Sequence, residues 1–232
     1  NVILKMNTGS GKTVVGLIML QSCLNEEKGP AIYVVPDNYL VKQVVDEAKK
    51  LGISVTEDKD DYSYSNSKTI LVTSIQTIVN GYSYFGMRES GNYPIGSIII
   101  DDVHACMDKI IGQFMIKINA ETDAYKELIA IFSSSSLKDY NPKNYIDIVE
   151  MKDCRKNMLV PYWEWQRQQD NVYRILTKYN NSDNNAIYFG LPLIERCLET
   201  CDCIITDSAI EISPKAVSYT HLRAHETSAH LV

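Results

Sequence analysis

Short apolar runs alternate with longer amphipathic stretches over the first hundred residues, and this alternation predicts an α/β fold with a mostly parallel sheet. Residues 2–6 read as a buried strand, 12–24 as a helix rich in apolar residues, and 31–35 (AIYVV) as a second strand ended by Pro36. Over residues 39–51, Leu40, Val44, Ala48 and Leu51 recur at near-helical spacing, which predicts a helix with one apolar face. A short strand at 53–56, a polar loop at 57–67 and strands at 69–73 and 98–101 follow. Beyond Asp101 the pattern loosens. Helices are expected near 107–118, 124–132, 161–178 and 193–200, with a strand near 203–206. Residues 1–137 thus read as one lobe, and 138–213 as a mostly helical insertion or accessory segment carrying Trp163 and Trp165. Aromatics at this spacing on a helix are more often packing groups than base-stacking ones.

Composition narrows the picture only modestly. A chain of 232 residues, 45% hydrophobic and 22% charged, has core enough for one large domain or one and a half. The net charge of −6 gives no electrostatic reason to expect nucleic-acid binding. It does not exclude it, because main-chain amides and helix N-termini hold phosphates without a basic surface. Cys23, Cys106, Cys154, Cys197, Cys201 and Cys203 form no CxxC pair and no zinc spacing. The group Cys197, Cys201 and Cys203 suggests an iron–sulfur or redox site, against the commoner reading of small buried thiols. No apolar run reaches the roughly 18 residues of a membrane span, and no signal peptide opens the sequence, so a cytoplasmic protein is expected. The sequence starts inside a strand-like run without Met, as if its natural N-terminus were missing. Residues 216–232 hold His221, His225 and His230 and read like a vector or adapter read-through, so they are expected to be non-native.

The strongest chemical signal is Met6-Asn7-Thr8-Gly9-Ser10-Gly11-Lys12-Thr13, set between a predicted strand and a predicted helix. Phosphate binding needs a turn whose amides point inward, and Gly9 and Gly11 permit that geometry. The helix that follows turns its positive end toward the phosphates. Thr8, Gly9, Ser10, Gly11, Lys12 and Thr13 are therefore the candidate ATP-binding residues, with Lys12 neutralising the β- and γ-phosphates and Thr13 a ligand of Mg2+. Met6 stands where the strict pattern has Gly. The second signal is Ile98-Ile99-Ile100-Asp101-Asp102-Val103-His104, an apolar strand that delivers paired carboxylates to the carboxyl edge of a sheet. Asp101 is the candidate metal-holding acid, and Asp102 the group that orients or deprotonates the attacking water.

MNTGSGKT resembles motif I of superfamily 2 helicases, and DDVH resembles their motif II. VPDNYLVKQ resembles motif Ia, and Thr73-Ser74-Ile75-Gln76-Thr77-Ile78 the later threonine-containing motif. The look of residues 1–104 is similar to bacterial helicases with a Helicase/UvrB N-terminal or type III restriction-like domain. The resemblance implies a P-loop NTPase fold, the first RecA-like lobe of an ATP-dependent motor using ATP and Mg2+. It implies that Pro36, Asn38, Thr73 and Gln76 touch a nucleic acid, DNA favoured over RNA. It also implies that Lys12, Asp101, Asp102 and His104 form the catalytic set, with His104 coupling nucleotide to nucleic acid. Two departures stand out. Asp102 occupies the usual Glu position, and the Ser-Ala-Thr of motif III is not clearly present: Ser133-Ser134-Ser135-Ser136 is a poor match, and a place beyond Pro214 is favoured, which would make 105–213 an insertion preceding it. Relatives with iron–sulfur cysteines carry them before motif II, which weakens that reading of Cys197, Cys201 and Cys203. The second lobe and its arginine finger, worth about 10³–10⁵ in rate in P-loop hydrolases, are missing from these residues. The fragment is therefore expected to bind ATP and not to unwind. The rival readings are a P-loop ATPase or kinase of another class, and a degenerate lobe kept as a binding scaffold.

If residues 216–232 are non-native, deleting them leaves the melting temperature unchanged. A fall of several degrees, about 1 kcal/mol or more for a chain this size, would show that they are folded.

Overall fold

The alternation in the sequence becomes a parallel sheet in the first of two compact units, which span residues 1–110 and 111–232. The computed structural model describes residues 3, 5, 11–85, 92–133, 137–153 and 155–215. Residues 2, 4 and 6 of the strand expected at 2–6, and the segment 216–232, lie outside the described residues.

In the first unit the order is α1 (Lys12–Asn25), β1 (Ala31–Val35), α2 (Asn38–Leu51), β2 (Val55–Thr56), α3 (Tyr62–Ser65), β3 (Ile70–Ser74), α4 (Ile75–Ile78), β4 (Ser97–Ile100) and α5 (Val103–Gln113), the last running into the second unit. The described strands form one sheet in the order β2-β3-β1-β4, and every pairing is parallel. Register pairs Val34 with both Thr73 and Ile100, which lines up the carboxyl ends of β1, β3 and β4. Helices cover both faces, so β1 is buried at all five positions and reads as an uninterrupted apolar run. Leu17 and Leu20 of α1 and Val41, Val44 and Ala48 of α2 pack against Ala31, Tyr33, Val35, Ile70 and Val72. On the other face Ile32, Val34 and Leu71 meet Tyr64, Ile75 and Cys106. This is the α/β lobe with a helix-flanked parallel sheet that the sequence predicts.

Two details differ from the sequence expectation. The buried stripe of α2 is Val41, Val44, Val45 and Ala48, and Leu51 is 39% exposed. At about 100° per residue the expected positions do share one face, but the buried arc is centred between Val41 and Ala48, which leaves Leu40 half-buried and Leu51 at its edge. The polar loop at 57–67 contains the single turn α3, capped by the Asp61 carboxylate, which accepts from the Ser63 N–H.

The second unit contains β5 (Ile116–Asn119), α6 (Asp123–Ser133), α7 (Leu137–Tyr140), α8 (Pro142–Tyr145), a π-helical turn (Ile146–Glu150), β6 (Asn157–Leu159), α9 (Tyr162–Lys178), α10 (Asn185–Ile194), a 3-10 turn (Glu195–Thr200), β7 (Cys201–Thr206) and β8 (Ala209–Pro214). Helices predominate, yet they surround an antiparallel sheet in the order β5-β8-β7-β6. Only β7 was foreseen. The helix expected over 107–118 ends at Gln113, and Ile116-Lys117-Ile118-Asn119 alternates buried and exposed positions as a strand does. Ile116, Ile118, Leu128 and Phe132 join one core with Leu176, Ile205 and Ile212. The break between the compact units falls at Ile110.

The paired tryptophans part ways. Trp165 is fully buried, and its indole N–H donates to the Leu198 carbonyl at 3.0 Å. Trp163 is half-exposed and stands edge-on to Tyr140 at 5.3 Å. Trp165→Ala should destabilise the protein by about 3–5 kcal/mol, and Trp163→Ala by about 1 kcal/mol or less. Denaturant unfolding of the two variants measures the contrast, and equal losses would contradict it.

Candidate nucleotide site

The site is assembled where α1 begins and β4 ends. Gly11 caps α1 with φ +77° and ψ 27°, the left-handed region in which glycine carries no steric cost. Lys12 is the first residue of α1 and is exposed; Thr13 follows, half-buried. Thr8, Gly9 and Ser10 lie outside the described residues.

Asp101 directly follows β4. Its backbone N–H donates to the Val34 carbonyl at 2.8 Å, extending the sheet by one more bond. One carboxylate oxygen, Oδ1, accepts from the Asp102 N–H at 3.0 Å. The other, Oδ2, accepts from the Tyr33 hydroxyl at 3.1 Å. Thr13 lies close to that hydroxyl. Burial first, and the Asp101 charge next, push the Tyr33 phenol far above the ordinary tyrosine range, so it stays protonated and donates. Thr13 and Asp101, read from motifs nearly ninety positions apart in the sequence, thus come together beside one tyrosine. A cavity of about 280 Å³ is lined by Gly11, Thr13 and Asp101, with Gln43 and Glu47 of α2.

Asp102 behaves differently. It has φ +47°, an uncommon conformation that Asp tolerates better than most residues. Its Oδ1 accepts from the Ala105 N–H at 3.3 Å, the bond of a helix N-cap, while its carbonyl accepts from the Cys106 N–H at 3.0 Å. It is not among the residues lining the cavity. His104 is exposed in the first turn of α5.

A second cavity, about 360 Å³, gathers Asn38, Lys42, Lys59, Thr73 and Thr77, with Glu57 and Asp58. Two expected nucleic-acid residues, Asn38 and Thr73, meet there. Pro36 is buried at the end of β1 and Gln76 is exposed on α4, and neither lines it. Sequence reading missed Lys42, Lys59 and Tyr33. A lone tyrosine in the aliphatic run AIYVV was the available signal for the last of these.

The type III restriction enzyme, res subunit, family matches residues 1–138, more than half of the chain. The chain belongs to this family. The res-subunit match makes it a superfamily 2 helicase-like domain, as motifs I and II implied. No curated protein matches the sequence. Among solved structures, that of S. tokodaii Xpd4 aligns at 14% identity with a TM-score of 0.47, over 93% of this chain and 49% of that one. The chain thus spans about half the length of that structure. Among the described residues of this res-subunit relative, no group of His, Cys, Asp and Glu is arranged to hold a metal. Cys201 and Cys203 are buried on β7, where burial raises their thiol pKa values, in keeping with packing. Again among the described residues, no helix is long and apolar enough to cross a membrane.

Because Asp102 caps α5 in a left-handed conformation, Asp102→Ala should lower stability by about 1 kcal/mol. Asp102→Asn keeps both the cap and the tolerance for positive φ and should melt close to wild type. Identical melting of wild type and the alanine variant would remove the cap.

Proposed function

We propose that the chain is the ATP-binding lobe of an ATP-dependent nucleic-acid motor. The observation that carries this reading is the meeting of Thr13 and Asp101 in one cavity at the sheet's carboxyl edge, beside the buried Tyr33 hydroxyl that donates to Asp101. Both are hard oxygen donors, which is the donor chemistry Mg2+ takes, and among the described residues no soft or imidazole ligand lines the adjoining cavity. Thr13 would ligate Mg2+ directly and Asp101 would hold its water shell; bound there, the ion would neutralise charge on the ATP phosphates. Lys12, exposed at the first position of α1, would meet the β- and γ-phosphates beside the positive helix terminus. Thr8, Gly9, Ser10 and Gly11 would supply inward-pointing amides. Asp102 would orient the attacking water, which requires its carboxylate to leave the Ala105 N–H. His104, exposed one turn along, would couple this event to the nucleic-acid side.

Nucleic acid would lie along the second cavity. Asn38 begins α2, whose N-terminal amides favour a phosphate, and Lys42 and Lys59 add positive charge beside Thr73 and Thr77. Pro36 and Gln76 would flank it. DNA remains the favoured strand, acted on in the cytoplasm. Movement along it is proposed for the whole protein, in which a second RecA-like lobe faces this one; these residues alone would bind ATP without unwinding. The capping role of Asp102 favours one rival, a lobe that binds nucleotide and hydrolyses none.

Lys12→Ala should abolish ATP–Mg2+ binding in calorimetric titration while leaving the fold intact. Wild-type affinity in the folded variant would sink the nucleotide-site assignment.

A further inference from the structure

Tyr33 is a phenol in the middle of the most buried strand of the first unit, 1% exposed, with aliphatic residues on either side in the chain. Its ring faces α1. There the helix carries Gly16 in its interior, a position at which glycine costs about 0.5–1 kcal/mol relative to alanine. The reason is spatial: a Cβ on Gly16 would sit 2.7 Å from Tyr33 Cε2 and 3.4 Å from its hydroxyl oxygen. Gly16 and Tyr33 therefore form a matched pair, a gap in the helix filled by a ring. That fit aims the hydroxyl along the sheet to its carboxyl edge, between Thr13 and Asp101.

The effect on Asp101 is geometric. A carboxylate held by one hydrogen bond still turns about its terminal torsion, which is broad and roughly two-fold. Asp101 is held at both oxygens, by the Asp102 N–H and by the Tyr33 hydroxyl, so its plane is fixed. Magnesium demands near-octahedral geometry, and groups that orient metal ligands from behind typically matter 10–100-fold in metal affinity.

We propose that Tyr33 is a positioning residue of the nucleotide–metal site, its hydroxyl holding Asp101 beside Thr13 in the arrangement that receives the hydrated divalent cation. This rests on the ATP–Mg2+ reading above. The alternative is that the phenol simply finds a partner, as buried hydroxyls must. A partner of that kind affects stability and leaves the metal requirement untouched.

The two are separated by titrating the whole chain with ATP, first in EDTA and then across a MgCl2 series, for wild type and Tyr33→Phe. The phenylalanine keeps the ring against Gly16 and removes only the hydroxyl. The expected result is ATP affinity in EDTA within twofold of wild type, with the MgCl2 concentration for half-maximal enhancement raised about tenfold. An unchanged MgCl2 midpoint overturns the proposal. So does an equal loss of ATP affinity with and without Mg2+. Should Tyr33→Phe not fold, Gly16→Ala decides, since it keeps the hydroxyl and displaces the ring. It should raise the MgCl2 midpoint, and a wild-type midpoint overturns the proposal. If wild-type protein binds no ATP in either condition, the nucleotide-site reading falls and takes this one with it. If Lys12→Ala loses ATP while Tyr33→Phe matches wild type, only the role of Tyr33 falls.

Discussion

β1 lies under helices on both faces, and the layout of the first unit follows from that double cover. A strand with apolar side chains on each face needs an apolar layer on each side. α1 and α2 supply one, and Tyr64, Ile75 and Cys106 supply much of the other. With both faces closed, polar chemistry is left to the edge where the strands end and the helices begin. Gly11, Thr13, Asn38, Thr73 and Asp101 all lie there, each within a few residues of a strand or helix end. The parallel register keeps those ends level, so motifs remote in sequence become neighbours.

Much of the first unit was legible because its signals are local. AIYVV has no charged residue and only one hydroxyl and is buried; Pro36 cannot continue the ladder; Gly11 sits where the backbone needs positive φ. Asp101 was legible for the same reason, as the first carboxylate after an apolar strand. What could not be read was side-chain direction across elements. Nothing in AIYVV says that Tyr33 reaches Asp101, since that depends on the β1–β4 register and on a missing Cβ at Gly16. The capping bond of Asp102 was not legible either. Adjacent acids look equivalent in sequence, but one extends a strand and the other starts a helix, so their carboxylates diverge.

The second unit was less legible because its strands are antiparallel and short. β6 has three residues and β5 has four, too few for a period of two to stand out from a helical one. Lys117 and Asn119 between isoleucines were the available clue, and β8 repeats it with Glu211 between Ile210 and Ile212. Pairing is also non-local: β5 lies beside β8, more than ninety positions later in the chain, with a 2.9 Å Lys117–Glu211 ion pair across it. Only the fold brings those halves of one alternating pattern together.

The positive φ of Asp102 has a mechanical side. From it α5 runs about 10 Å to Ile110 at 1.5 Å per residue, so a turn of about 10° at that torsion would swing Ile110 by nearly 2 Å. Cys106 is 1% exposed in the core that Ile110 also packs against, and a close-packed interior does not yield by such amounts. The helix is a lever clamped at its far end. Asp102 can exchange one partner for another by rotating its side chain, but its main chain is held by thiol and aliphatic packing one and two turns away. Sensitivity to substitution at the second acid of the DDVH segment therefore extends to residues that carry no charge.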